Sequence, residues 1–251
     1  MQIGIAQLDP AWEDKAESME RANRALDALG EVDLIVLPEM SLTGFSMNPE
    51  AHAETIDGRS VRFFAERARA AGAWLVGGAA MRDGENYYNE ALLFGRDGEL
   101  TARYKKTHPF GYGDEDKHYA AGEGPVGAAI DAWGTGLAVC YDLRFPELFR
   151  FYGKERRKLI VVIANWPAPR IEHWRTLLKA RAIENQCVVV GVNRVGEDPK
   201  ASYPGRSAVF GPMGEPLLDM NDEPTGAVEI DLDKVRETRE RFGFLNDIRM
   251  I

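Results

Sequence analysis

Two rhythms alternate along the chain. Short apolar runs at residues 3–7 and 34–37 read as strands, and between them Met19, Ala22, Leu26 and Leu29 recur at helical spacing before Gly30 stops the pattern. Val61, Phe64, Ala68 and Ala71 line one face of a second predicted helix, closed by Gly72. Strands follow at 74–78 and 91–94, with the turn-rich Asp83-Gly84-Glu85-Asn86 between them. In the second half, the Val- and Ile-rich runs at 137–140 and 159–165 have the continuous apolar character of strands covered on both faces. Trp174, Leu177, Leu178 and Ala182 mark a helix, and strands are expected at 188–192, 207–210 and 227–230. The charged stretch 231–241 reads as a solvated terminal helix. No internal repeat, low-complexity tract or Pro/Gly/Ser linker divides the chain. The pattern predicts one α/β domain over residues 1–251, its sheets covered by helices.

Composition narrows the partners. Of 251 residues, 45% are hydrophobic and 28% charged, which suits a folded enzyme rather than a disordered chain. A formal charge of −9 argues against nucleic acid, since phosphate binding needs a basic surface, while a local Arg or Lys can still hold a small anion. No run approaches the roughly 18 apolar residues of a membrane span, and the first residues lack a signal-peptide pattern. Two cysteines make a disulfide framework improbable and a cytoplasmic setting the expectation. The four histidines are scattered, so no metal site is expected.

Within that frame a few residues could carry chemistry. Cys140 ends an apolar run before a helix that contains Pro146-Glu147-Leu148-Phe149; a thiol facing a helix N-terminus gains thiolate character, although a buried structural cysteine is the commoner fate. Cys187, beside the predicted strand at 188–192, suits that structural role better. Glu39 ends the run 34–38, where α/β folds place functional groups; a general base and a solvated capping carboxylate are equally open readings. Lys106 sits in a basic run that by itself reads as a solvated face, and Glu115 is one acid in a charged loop.

Taken in order, Pro38-Glu39-Met40, Tyr104-x-Lys106-x-His108 and Cys140-Tyr141-Asp142-Leu143-Arg144-Phe145-Pro146-Glu147 resemble the nitrilase superfamily of carbon–nitrogen hydrolases. So do Tyr88-Asn89-Glu90-Ala91, the stretch 180–186, and Gly205-Arg206-Ser207 through Pro212-Met213-Gly214. The resemblance implies Cys140 as nucleophile, Glu39 as general base and Lys106 as the cation beside an oxyanion, with Glu115 as supporting carboxylate and the Tyr141 N–H as a second oxyanion donor. It also implies a four-layer α-β-β-α sandwich and a homodimer, with no cofactor or metal. Asn165-Trp166-Pro167-Ala168-Pro169-Arg170 with His173-Trp174 is similar to the omega-amidase branch, which hydrolyses the side-chain amide of 2-oxoglutaramate and related compounds. One departure is His108-Pro109-Phe110 where the family commonly has His-Leu-Phe; the proline stiffens the approach to the Glu115 loop.

For such a substrate Phe45 and Trp166 are candidate pocket walls, and Arg144, Arg170 and Arg194 candidate clamps for a distal carboxylate. An N-carbamoyl amine or amino-acid hydrolase, or an amidase for a modified peptide, is the alternative within the superfamily. A metal-dependent phosphoesterase would need clustered Asp, His or Asn ligands. A binding protein that kept only the fold would have no reason to retain Glu39, Lys106 and Cys140 together.

Overall fold

The computed structural model describes residues 1–250. Strand β1 (Gln2–Ala6) leads through helix α1 (Lys15–Asp27) to β2 (Leu34–Val36), α2 (Pro49–His52), α3 (Arg59–Ala71), β3 (Trp74–Asp83), β4 (Asn86–Phe94) and β5 (Leu100–Lys105). The second half runs β6 (Gly127–Ile130), β7 (Trp133–Val139), α4 (Pro146–Lys154), β8 (Leu159–Ala164), α5 (Ile171–Asn185) and β9 (Val188–Asn193). It ends with the hairpin β10 (Val195–Glu197) and β11 (Ser202–Pro204), then β12 (Ala208–Phe210), β13 (Pro216–Asp219), β14 (Thr225–Glu229) and α6 (Asp233–Arg241).

Two six-stranded sheets result, ordered β14-β1-β2-β3-β4-β5 and β13-β12-β9-β8-β7-β6. Parallel pairing of β1, β2 and β3, and of β7, β8 and β9, makes the centre of each sheet; antiparallel strands flank it. Alternation along the first sheet shows how the layers stack. Ile3, Ile5, Leu34, Val36, Val76 and Leu93 join one core with the strands of the second sheet and with Phe149, Trp174 and Leu178 of α4 and α5. Their neighbours Ala6, Ile35, Leu37, Leu75, Leu92 and Phe94 point the other way, against Ala22 and Leu26 of α1 and Phe64 and Ala68 of α3. A side-chain period of two thus places a sheet on one face and helices on the other. The architecture is the α-β-β-α sandwich.

The boundaries of the sequence-based elements shift where long-range pairing supplies what local pattern lacks. β3 and β4 continue to Asp83 and Asn86, and the turn between them uses Gly84 at φ +60°. β5 carries the basic run that local pattern reads as a solvated face; it pairs with β4 from Glu90↔Lys105 onward. Lys105 reaches the exposed Asp83 at 2.8 Å, while Lys106 turns inward and is 1% exposed. α3 stops at Gly72, φ +59°, where a left-handed residue ends the helix without a Cβ clash.

Candidate active site

Glu39 follows β2 through Pro38. The backbone of Gly78 on β3 packs directly beneath it: a Cβ at Gly78 would lie 2.6 Å from the Glu39 Cα and 2.5 Å from the Met40 nitrogen, so only glycine fits there. Ser41 N–H donates to the Gly78 carbonyl at 2.9 Å, and Met40 takes φ +43°, a left-handed conformation that turns the chain sharply after the carboxylate. Glu39 ends fully buried. Its Oε1 accepts from Lys106 Nζ at 2.8 Å and from Asn89 Nδ2 at 2.6 Å, and its Oε2 accepts from the Asn165 backbone N–H at 2.7 Å.

Lys106 comes from the end of β5, with its own N–H on the Asn89 carbonyl at 2.8 Å. Its ammonium bridges two buried carboxylates, Glu39 and, at 2.7 Å, Glu115 Oε2. Burial alone would favour the neutral amine, but the charges of Glu115 and Glu39 outweigh it and hold the Lys106 pKa above its ordinary value. Glu115 opens a short turn over Glu115–Lys117 and is fixed by the Phe110 N–H at 2.6 Å and by Asn89 Nδ2 at 2.8 Å. The Pro109 departure leaves it inside the cluster.

Cys140 follows β7 and begins a tight turn over Cys140–Arg144 at φ +48°, a conformation an ordinary residue holds only when its surroundings enforce it. Its Sγ lies 3.9 Å from the Asn165 carbonyl and keeps partial access to a cleft. The expectation of thiolate character is corrected here. Burial, and next the Glu39 charge, push the thiol well above its usual pKa, and Lys106 only partly opposes them. A short turn of helix cannot match the loss of solvent plus an adjacent carboxylate. A neutral thiol beside a carboxylate is the chemically useful state if the carboxylate is to take the proton as the sulfur attacks.

The cleft has a volume of about 530 Å³ and places Cys140 among Phe45, Phe110, Tyr141, Trp166, Pro167 and Tyr203, with Arg144, Arg170 and Lys200 on its walls. Lys106 lies behind Phe45, its Nζ 5.4 Å from the ring centre. Arg144 sits 4.8 Å from the Trp166 ring and 3.4 Å from His173 Nδ1; Arg170 sits 5.7 Å from the Phe110 ring. Among the described residues neither guanidinium has a carboxylate partner. Arg194 is different and is removed from the clamp candidates. It is fully buried beneath Tyr203, its Nη2 on Asp9 Oδ1 at 3.0 Å and on the Glu197 carbonyl at 3.1 Å, because a charge without solvent must find internal partners. Among the described residues no group of three His, Cys, Asp or Glu side chains is arranged to hold a metal ion, and no helix is long and apolar enough to cross a membrane.

Glu39, Lys106, Glu115 and Cys140 therefore converge, and Tyr141, Phe45, Trp166, Arg144 and Arg170 face the same cleft. Sequence reasoning missed Asn89, Asn165, Lys200 and Tyr203. Asn89 carried a readable signal, a polar amide in the middle of a strand that runs on through Glu90 into the apolar Ala91-Leu92-Leu93-Phe94. Lys200 and Tyr203 had none, since the β10–β11 hairpin is short and reaches the cleft only through tertiary packing.

Residues 2–240 match the carbon-nitrogen hydrolase family model. The chain is 32% identical to a 2-oxoglutaramate amidase of Bacillus subtilis, across 98% of this chain and 97% of that protein. It is 37% identical to the omega-amidase YafV of Yersinia enterocolitica, across 98% and 96%. Among solved structures, a carbon–nitrogen hydrolase superfamily protein of Xanthomonas campestris with an arsenic adduct in its active site superposes with a TM-score of 0.95. That likeness has 34% identity and covers 100% of this chain and 98% of the other.

Proposed function

The chain belongs to the carbon–nitrogen hydrolase family and acts on amides, and on that premise we propose that it hydrolyses the terminal amide of a short dicarboxylic acid, such as 2-oxoglutaramate, through a thioester on Cys140. The observation that carries this reading is the cleft itself: a nucleophile-type cysteine over a buried Glu39–Lys106–Glu115 cluster, with Arg144 and Arg170 on the wall and, among the described residues, without a carboxylate partner. The named activity of relatives at 32–37% identity over nearly the whole chain points to the same substrates.

Each step has a residue suited to it. Cys140 Sγ attacks the amide carbon while Glu39 takes the thiol proton. The carbonyl oxygen gains the negative charge, and Lys106 with the Tyr141 N–H stabilises it; losing one such donor costs on the order of 10²–10³ in turnover. Glu39 returns the proton to the nitrogen as the C–N bond breaks, releasing ammonia. Water then attacks the thioester, its proton passing to Glu39, and the acid leaves as Cys140 regains its proton. Glu115 and Asn89 keep Glu39 and Lys106 in register during both halves. The distal carboxylate binds a wall arginine, so energy from the far end of the substrate positions the reacting carbonyl.

A homodimer belongs to the proposal. The exposed apolar Ile183, Met213 and Phe244 suit a surface that a second copy covers. Two free cysteines suit a reducing, cytoplasmic setting.

The test is ammonia release from a panel holding 2-oxoglutaramate, succinamate, neutral amides of matched length, N-carbamoyl amino acids and nitriles. The monoamide acids should give the highest kcat/KM and nitriles very low values. Preference for the carbamoyl compounds would replace the substrate assignment, and equal rates on neutral and acidic amides would remove the arginine clamp.

A further inference from the structure

Tyr104 and His108 flank Lys106 in the motif Tyr104-x-Lys106-x-His108, yet neither touches the lysine's charge cluster. Both turn instead to one carboxylate, Asp142, two residues past Cys140. Asp142 Oδ2 accepts the Tyr104 hydroxyl at 2.8 Å and the Val139 N–H at 3.0 Å. Oδ1 accepts the His108 N–H at 2.9 Å and lies 2.8 Å from His108 Nδ1. Asp142 is fully buried and does not line the cleft. We infer that Asp142 is a positioning residue, a single carboxylate that locks the Cys140 turn of one sheet to the Lys106 strand end of the other. This inference rests on the proposed roles of Cys140 as nucleophile and Lys106 as oxyanion partner.

The geometry explains why one group is needed. Val139 is the last residue of β7, and Tyr104 lies on β5 in the opposite sheet. Nothing in either sheet's own ladder sets the distance between the two strand ends. The Val139–Asp142 bond closes the backbone around Cys140, which would otherwise relax from φ +48° to an ordinary conformation. Tyr104 and His108 approach from both sides of Lys106, so the lysine cannot move along or across its strand without breaking a bond to Asp142. Burial and the Asp142 charge raise the Tyr104 pKa, so its hydroxyl remains a donor. The same turn is braced from behind: Arg181 of α5 donates to the Leu143 carbonyl from Nε at 3.2 Å and Nη2 at 2.8 Å. His108 is further fixed by its stack on Phe145, ring centres 3.7 Å apart.

A carboxylate that only stabilised the fold would lower the melting temperature and leave the chemistry of the folded enzyme alone. A positioning role predicts a different split. Asp142→Asn places an NH2 group against two of the four donors, while Tyr104→Phe and His108→Phe each remove one side-chain donor and leave the carboxylate. The full chain is assayed well below the melting temperature of its weakest variant, by steady-state kinetics on 2-oxoglutaramate and by the second-order rate of Cys140 alkylation with iodoacetamide. Tyr104→Phe and His108→Phe should each lower kcat about tenfold, and Asp142→Asn about a hundredfold, with KM within about threefold. Cys140 alkylation should slow in the same order. In the Asp142→Asn background Tyr104→Phe should add nothing, since both act through one group. Unchanged kcat and alkylation in the two single-donor variants, or full additivity with Asp142→Asn, would overturn the inference. Should Asp142→Asn not fold, the two single-donor variants decide alone. Should the wild type release no ammonia from any amide, the proposed function fails, and the alkylation series still decides whether Asp142 holds Cys140.

Discussion

Asn89 points its amide nitrogen at Glu39 Oε1, 2.6 Å away, and in doing so leaves its own Oδ1 buried without a partner among the described residues. The same nitrogen donates to Glu115 Oε1 at 2.8 Å. A buried orphan acceptor costs about 1–3 kcal/mol, so the orientation is imposed by the two carboxylates rather than by Asn89 itself. Asn89→Asp would set a third carboxylate against Glu39 and Glu115 with only Lys106 to offset them. We expect kcat to fall about 100-fold and stability to drop by roughly 2 kcal/mol or more. Steady-state kinetics and thermal unfolding measure both, and wild-type turnover in the aspartate variant would remove Asn89 from the site.

The two thiols should separate by access rather than by acidity. Cys187 is fully buried between α5 and β9, and loss of solvent pushes its pKa up to about 12. Cys140 is also raised but opens on the cleft. Iodoacetamide should modify Cys140 first, with activity lost in step, and Cys140→Ser should stay folded while losing several powers of ten in turnover. Peptide mapping that finds Cys187 labelled first with activity intact would refute the assignment of the nucleophile.

Glu39 raises the Cys140 pKa because a negative neighbour disfavours a second negative charge. Glu39→Gln removes that charge and leaves Lys106, which favours the thiolate. The thiol should therefore titrate at lower pH in the variant, seen as thiolate absorbance appearing earlier on an alkaline titration, even as turnover is abolished for want of a base. A thiol pKa that stays put or rises would show that Glu39 is not the adjacent charge. Activity of the wild type should survive a strong chelator, and recovery only on adding zinc or manganese would favour a metal-dependent reaction.

The wall arginines predict a contrast in KM and selectivity. Replacing the true clamp, Arg144→Met or Arg170→Met, should cost roughly 1.5–3 kcal/mol of binding on monoamide acids, about 10- to 100-fold in kcat/KM. The same change should leave neutral amides nearly unaffected. Arg194→Met should instead act on stability, because it strips a buried guanidinium from Asp9 and the Glu197 carbonyl. Loss of acid selectivity in the Arg194 variant, with Arg144 and Arg170 silent, would return Arg194 to the clamp.

Period and run length along the chain were sufficient to find the central strands and the principal helices. A buried parallel strand must be apolar on both faces, as 34–37 and 159–164 are, and a covering helix must repeat its apolar face every three or four residues. The same local view located the strand ends that carry Glu39 and Cys140, and their surrounding motifs placed Lys106 and Glu115 beside them. It could not see that Lys106 leaves a basic run for the interior, since the compensating carboxylates lie 67 and 9 residues away in sequence. Nor could it rank Arg144, Arg170 and Arg194, which look alike as letters and differ only in what surrounds the guanidinium. It assigned Cys140 a helix-end acidity that burial and Glu39 reverse. What the sequence determined by itself are properties set by neighbours in the chain: hydrophobic period, turn chemistry and the local motif. What only the tertiary structure decided is which charges share a dry space, because desolvation and Coulomb attraction depend on distance in space, and Asn89, Asp142 and Arg194 take their roles from partners that folding alone brings near.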